Sequence, residues 1–177
     1  LRGYNTSIGD LDGQGRGTDG LLNTTNMPDF TLTGLWTTSP FCILQNLDIT
    51  GDLSSYLIGT AVPDSWAMIN CRVLNTKNNA AAGCVQGDNY VCLINCDFSC
   101  TGASHTTVVD FDIAGMLIGC RFLITLNTAI AAVLHYGTVL KCVFVGTGNT
   151  SVGIDLPASA TINTHSIVSD CTFYNFG

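Results

Sequence analysis

A four-residue pattern returns six times along the chain at nearly constant spacing. The copies are Asn46-Leu47-Asp48-Ile49, Asn70-Cys71-Arg72-Val73, Asn95-Cys96-Asp97-Phe98, Gly119-Cys120-Arg121-Phe122, Lys141-Cys142-Val143-Phe144 and Asp170-Cys171-Thr172-Phe173. Taking the second residue of each as an anchor gives positions 47, 71, 96, 120, 142 and 171, so steps of 24, 25, 24, 22 and 29. A sustained period of roughly 20 to 50 residues marks a stacked-repeat architecture. In each copy the second and fourth residues are apolar, so both lie on one face of a strand. With no helical segment between copies, one unit is one coil of a solenoid. The pattern predicts an all-β fold, a single-stranded right-handed parallel β-helix with coils of about 22–29 residues.

Composition supports this reading. The 177 residues are 46% hydrophobic and 11% charged, enough for one buried core. All 13 acidic residues are Asp. Glu favours helices, whereas Asp, Asn, Gly and Thr favour turns and strands, so its absence argues against helix. A net charge of −7 with six scattered cations leaves no footprint for nucleic acid. No apolar run approaches the ~20 residues that span a bilayer, so no membrane partner is expected. Solenoids usually carry polar caps, and none is visible here. The expectation is that the sequence is an excerpt of a longer protein, or that neighbouring subunits cover its ends.

Nine cysteines are present, an odd number at solenoid spacing. Cys71, Cys96, Cys120, Cys142 and Cys171 share the anchor position. A free thiol behaves as a small hydrophobe, so these read as a reduced core column beside Val73, Phe98, Phe122, Phe144 and Phe173. Cys92, Cys96 and Cys100, alternating with Ile94 and Phe98, read as one inward apolar face. Zinc motifs pair cysteines across tight turns, and that spacing is missing, so no metal and no cofactor are expected.

Residues 1–31 form a Gly/Asp-rich loop or arm leading into the solenoid, which occupies 32–177. Gly15, Gly17, Asp19 and Leu21 match the spacing of a calcium-binding nonapeptide coil. That motif needs tandem copies, and one imperfect copy reads as a flexible loop. Within the solenoid a second apolar stretch lies between anchors: Tyr56-Leu57-Ile58, Cys84-Val85, 108–113, 130–134 and 152–156. Turns such as Thr76-Lys77-Asn78-Asn79 and Gly146-Thr147-Gly148-Asn149 are expected to supply the positive-φ corners.

The Asn-Cys-x-Phe strand resembles the right-handed parallel β-helices of the pectin lyase-like superfamily across residues 32–177. The opening Arg2-Gly3-Tyr4-Asn5-Thr6, with Gly9-Asp10, resembles a segment of β-helix proteins from phages and phage-like genomes. The superfamily resemblance implies either scaffold or carbohydrate chemistry. Its pectate lyases use a calcium-binding acidic cluster with a basic residue, usually Arg. Its polygalacturonases use Asn-Thr-Asp, Asp-Asp, His-Gly and Arg-x-Lys strings. None of those strings occurs here, and Asp110-Phe111-Asp112 is the nearest approach.

Aligning coils on their anchors suggests one lateral edge. Asp64, Asp88 and Asp112 fall seven or eight residues before an anchor, with Asp110 two residues along. Trp66, Tyr90 and Tyr136 fall five or six before. Carboxylates ~5–7 Å apart can share acid–base work or hold a cation, and exposed rings can stack on sugars. Asp88, Asp110 and Asp112 are the weak catalytic candidates. Asp64, Trp66, Asp88, Tyr90 and Tyr136 are the glycan-binding ones. Equally, such Asp residues cap turns and such rings pack corners. His105, His135 and His165 are evenly spaced without a nucleophile partner, and His135 aligns with an inward Ile113.

Two functions follow. The first is a structural virion protein, either a capsid decoration or cement protein or a tail spike or fibre module, with glycan binding as an added capacity. It implies a virion location, capsid or tail partners, and a homotrimer as its resemblance to elongated β-helix virion proteins suggests. The alternative is a polysaccharide lyase or glycoside hydrolase of the pectin lyase-like superfamily. A secreted, extracellular adhesin is chemically close to the first.

Overall fold

The computed structural model describes residues 22, 24–25, 27–60, 65–87, 90–102, 107–125, 129–148, 151–156 and 166–176, without the side chains of 60, 112–113, 134–135 and 147–148. The described residues contain seventeen strands, and each coil contributes a strand to three lateral faces. The first face stacks β2 (Trp36–Thr38), β5 (Tyr56–Thr60), β8 (Gly83–Gly87), the leading half of β11 (Thr107–Ile118), the leading half of β13 (Ile130–Leu140) and β15 (Val152–Asp155). The second stacks β3 (Ile43–Gln45), β6 (Trp66–Ile69), β9 (Val91–Ile94), the trailing halves of β11 and β13, and β16 (Ile167–Ser169).

The third face is a seven-stranded sheet: β1 (Asp29–Leu32), β4 (Asp48–Gly51), β7 (Arg72–Asn75), β10 (Asp97–Cys100), β12 (Arg121–Ile124), β14 (Val143–Gly148) and β17 (Thr172–Phe176). The pairing is parallel throughout. The protein is a parallel β-solenoid, and the repeat strand read from the sequence is its third face.

The residue before each anchor makes the corner into that face. Asn46, Asn70, Asn95, Gly119, Lys141 and Asp170 have φ between 51° and 62°. Asn, Asp and Gly tolerate this left-handed conformation, which explains the first letter of the repeat. The expected positive-φ position at Thr76–Asn79 is not found. That turn is instead held by Asn75, whose Oδ1 accepts the Lys77 N–H at 3.1 Å and whose Nδ2 donates to the carbonyls of Leu53, Ser55 and Gly83. The coil-to-coil ladder continues through the left-handed corners, because the Asn70 and Asn95 N–H groups donate to Ile94 and Ile118 at 3.0 and 2.7 Å. Their side chains form a second ladder, with Asn95 Nδ2 donating to Asn70 Oδ1 at 2.7 Å and Asn70 Nδ2 to Asn46 Oδ1 at 3.3 Å.

Inside this corner the anchors stack. Leu47, Cys71, Cys96, Cys120 and Cys142 are buried and Cys171 is half-buried at the last described coil, all nine thiols being free. The fourth residues form the adjacent column. Phe98, Phe122, Phe144 and Phe173 stack with centroids 5.4, 4.8 and 4.8 Å apart. Burial raises the Cys96 thiol pKa well above its ordinary value, and bonds to Cys120 and Cys71 add to that. The Cys100 thiol is raised first by its 3.6 Å contact with Cys84, then by burial.

Cys92 and Ile94 do not join this core. They point outward from β9 while Val91 and Leu93 point in. The left-handed corner at Asn95 breaks the two-residue alternation, so counting straight from Cys92 to Cys100 crosses from one face to another.

Candidate functional site

The predicted edge lies where the first face bends into the second. The bend is unbroken in β11 and β13, and Gly115 lets it close. A Cβ at Gly115 would collide with the Phe111 ring, which is buried in the elbow. The register also shifts here: Phe111 pairs with Leu134, but Ala114 pairs with Tyr136, so β11 carries one extra residue. Asp112 therefore does not share a level with Leu134, as counting from the anchors implies.

Past the bulge the register is strict. Trp66, Val91, Gly115 and Gly137 occupy one level of the stack, and Tyr90, Ala114 and Tyr136 the level before it. Trp66 is thus one residue out of line with the tyrosines. A one-residue offset on a strand reverses the side chain, and Trp66 is a core residue, only 3% exposed. The ring column retains Tyr90, which is exposed, and Tyr136, which is half-buried. Both line one cleft with Ala114. Partial desolvation, then the Tyr90 hydroxyl, raises the Tyr136 pKa.

The two tyrosines border a cleft of about 290 Å³ that Cys92, Ala114, Gly115, Met116 and Thr138 also line. Its walls are apolar. The Cys92 thiol is pushed up in pKa by partial burial and then by Cys120.

The carboxylates have a different setting. Asp110 accepts a hydrogen bond from the Tyr56 hydroxyl at 3.3 Å. Desolvation first, and the Asp110 charge second, push the Tyr56 phenol well above its ordinary pKa. Asp64 and Asp88 lie outside the described residues, as do the Asp112 side chain, His105, His165 and the His135 side chain. Among the described residues no three His, Cys or Asp side chains converge on a point that could hold a metal ion.

The third face carries the charge. Asp48, Arg72, Asp97 and Arg121 are directly stacked in register, with signs alternating. Arg72 donates Nε to Asp48 Oδ1 at 2.7 Å and Nη2 to Oδ2 at 2.5 Å. Asp97 Oδ2 accepts the Leu22 N–H at 2.6 Å, which ties the segment before β1 across this ladder. Arg72 and Arg121 therefore face away from the Asp110 edge. The alternation is legible in the residues after the first four anchors and stops at Val143 and Thr172.

The sequence reading also missed the outer surface of the second face. Met116, Ile43 and Ile167 are exposed there, with Ile69, Ile94, Ile118 and Leu140 half-buried beside them. The available signal was the lack of alternation in Ala67-Met68-Ile69, Cys92-Leu93-Ile94 and Met116-Leu117-Ile118. A strand that is apolar at every position is apolar on both sides. Comparison with known proteins adds no name to this geometry: no family model, no curated protein and no solved structure matches the chain.

Proposed function

We propose that this chain is a structural module of a virus particle, a capsid decoration or cement protein or a segment of a tail spike or fibre, acting as a homo-oligomer, with a trimer as the specific form. The observation that carries the structural reading is where the carboxylates go. Asp48 pairs with Arg72, Asp52 with Lys77 at 3.3 Å, Asp97 takes the Leu22 N–H and Asp110 takes the Tyr56 hydroxyl. Each of these four described carboxylates holds coils or segments together, on three separate parts of the surface, while Asp64, Asp88 and the Asp112 side chain lie outside the described residues. A catalytic pair needs two carboxylates facing one substrate atom at a separation of about 5–10 Å.

The solenoid itself suits a permanent contact. Its surface is preorganised by coil-to-coil hydrogen bonds, so little ordering entropy opposes association. The viral assignment draws on the resemblance of Arg2-Gly3-Tyr4-Asn5-Thr6 and Gly9-Asp10 to phage β-helix proteins. The fold assignment, likewise, draws on the pectin lyase-like likeness of the repeat strand. The test is particle composition. Purified particles should contain the chain at a fixed ratio to the major capsid or tail protein, and the chain should not cleave acidic or neutral polysaccharides. Turnover of any polysaccharide by the isolated chain rejects this function in favour of the lyase or hydrolase.

Tyr90 and Tyr136, which border the apolar cleft, favour glycan binding as a competing use of this surface, since phenol rings can stack on a sugar face. A glycan array with wild type and Tyr90→Ala separates the two. Binding to no glycan returns both tyrosines to corner packing.

A further inference from the structure

We infer that the outer surface of the second face is the contact between copies of this chain. The register lines up two outward columns on this face. One runs Ile43, Ala67, Cys92, Met116, Thr138, Ile167, and the other lies two residues along each strand, from Gln45 to Ser169. None of the twelve positions in these columns carries a charge. The chain as a whole has a net charge of −7, and the third face holds an alternating Asp/Arg ladder. An uncharged strip on an acidic protein is matched by an equally uncharged surface, and it would leave the charges of a polar partner desolvated and unpaired.

Area points to the same occupant. Ile43, Met116, Ile167 and the flanking Tyr90 are 51%, 41%, 56% and 64% exposed. At ~200 Å² per large side chain these four leave about 400 Å² in water. Half-buried Ile69, Ile94, Ile118 and Leu140 between them extend this area toward the ~800 Å² that one partner contributes to a stable interface.

Period is the third argument. Coils rise ~4.8 Å, so side chains of two such faces can interdigitate coil for coil over the whole strip, as packed sheets do. A second copy has that rise by construction. The composition fits too, with Tyr and Met at the rim and centre and Lys and Asp missing. This inference rests on the homo-oligomer in the proposed function and adds which surface makes it.

The experiment is sedimentation of the full chain at tens of micromolar, for wild type, Met116→Asp and Ile43→Asp. Both substituted side chains point to solvent, and a thermal midpoint within a few degrees of wild type shows that each variant folds. Wild type should sediment at two or more times the 18.7 kDa chain mass. Both variants should shift to monomer, with association weakened at least tenfold. Mass-spectrometric mapping of maleimide labelling supplies a second readout: Cys92, half-buried on the strip and two coils from Ile43, should label several-fold faster in Ile43→Asp than in wild type.

A wild-type monomer at these concentrations overturns the inference. So does an oligomer that both folded variants preserve, or a monomer that instead pellets with neutral phosphatidylcholine vesicles in a Met116-dependent way. Oligomers that dissociate as expected but never occur on particles keep the inference and reject the viral reading. Particles that carry a monomer do the reverse.

Discussion

Replacing Phe122 by Ala tests the core directly. The ring is fully buried at the centre of the third face, stacked 5.4 Å from Phe98 and 4.8 Å from Phe144. Losing the transfer free energy of a buried aromatic costs roughly 2–3 kcal/mol. The cavity adds to this in proportion to how little the site can collapse. Here collapse is opposed by the backbone. The Arg121 N–H donates to Cys96 O at 2.8 Å and the Val143 N–H to Cys120 O at 2.9 Å, so hydrogen bonds above and below fix the coil spacing.

The expected cost is therefore in the upper half of the ~3–5 kcal/mol range for such truncations. Phe173→Ala is the control. That ring has one stacking neighbour in the column and is half exposed at the last described coil, so its loss should cost about 1–2 kcal/mol. Urea unfolding followed by far-UV circular dichroism measures both. The Phe122→Ala midpoint should fall with an unchanged slope. A loss below about 1 kcal/mol, or equal losses for the two variants, would refute the stacked-column account of stability.

Other expectations concern the corners, the charge ladder and pH. Lys141 occupies a left-handed corner at φ 54° without the tolerance of Asn, so Lys141→Asn should stabilise by about 0.5–1 kcal/mol in the same assay. Asn95→Ala should cost about 1–3 kcal/mol, losing both the left-handed preference and the 2.7 Å bond to Asn70. Arg72→Ala should cost about 1–3 kcal/mol, less at high salt, because Asp48 stays largely buried while Arg72 itself is partly in water. Alkali should destabilise the fold. Cys100 and Tyr56 have raised native pKa values, so their stabilising share is complete below the free values of 9.0 and 10.0 and is lost as pH rises beyond them. Urea midpoints should hold to about pH 8.5 and then fall, with Tyr56→Phe flattening the part above pH 10.

The sequence alone determined the solenoid. Its ~24-residue period repeats one apolar pair per coil, and only stacking neighbours can bury such a pair, so anchor and ring columns follow from counting. The first-face strands were legible for the same reason, in runs such as Tyr56-Leu57-Ile58. What counting could not supply was direction. Side-chain facing on a strand has a period of two, and any single residue gained or turned out of line inverts it.

Three such events occur here. A left-handed residue precedes each anchor, so Cys92 and Ile94 face out while Cys96 and Cys100 face in. The extra residue in β11 between Phe111 and Ala114 displaces Asp112 from its apparent neighbour. Trp66, allowed one residue of slack in the alignment, belongs one level past Tyr90 and Tyr136, and so enters the core. The outer strip arises because strands such as Val91–Ile94 are apolar at every position and only one of their two sides can meet the core. Which of two apolar sides meets the core is decided by where the chain bends, and that is set by packing between coils that are distant in sequence.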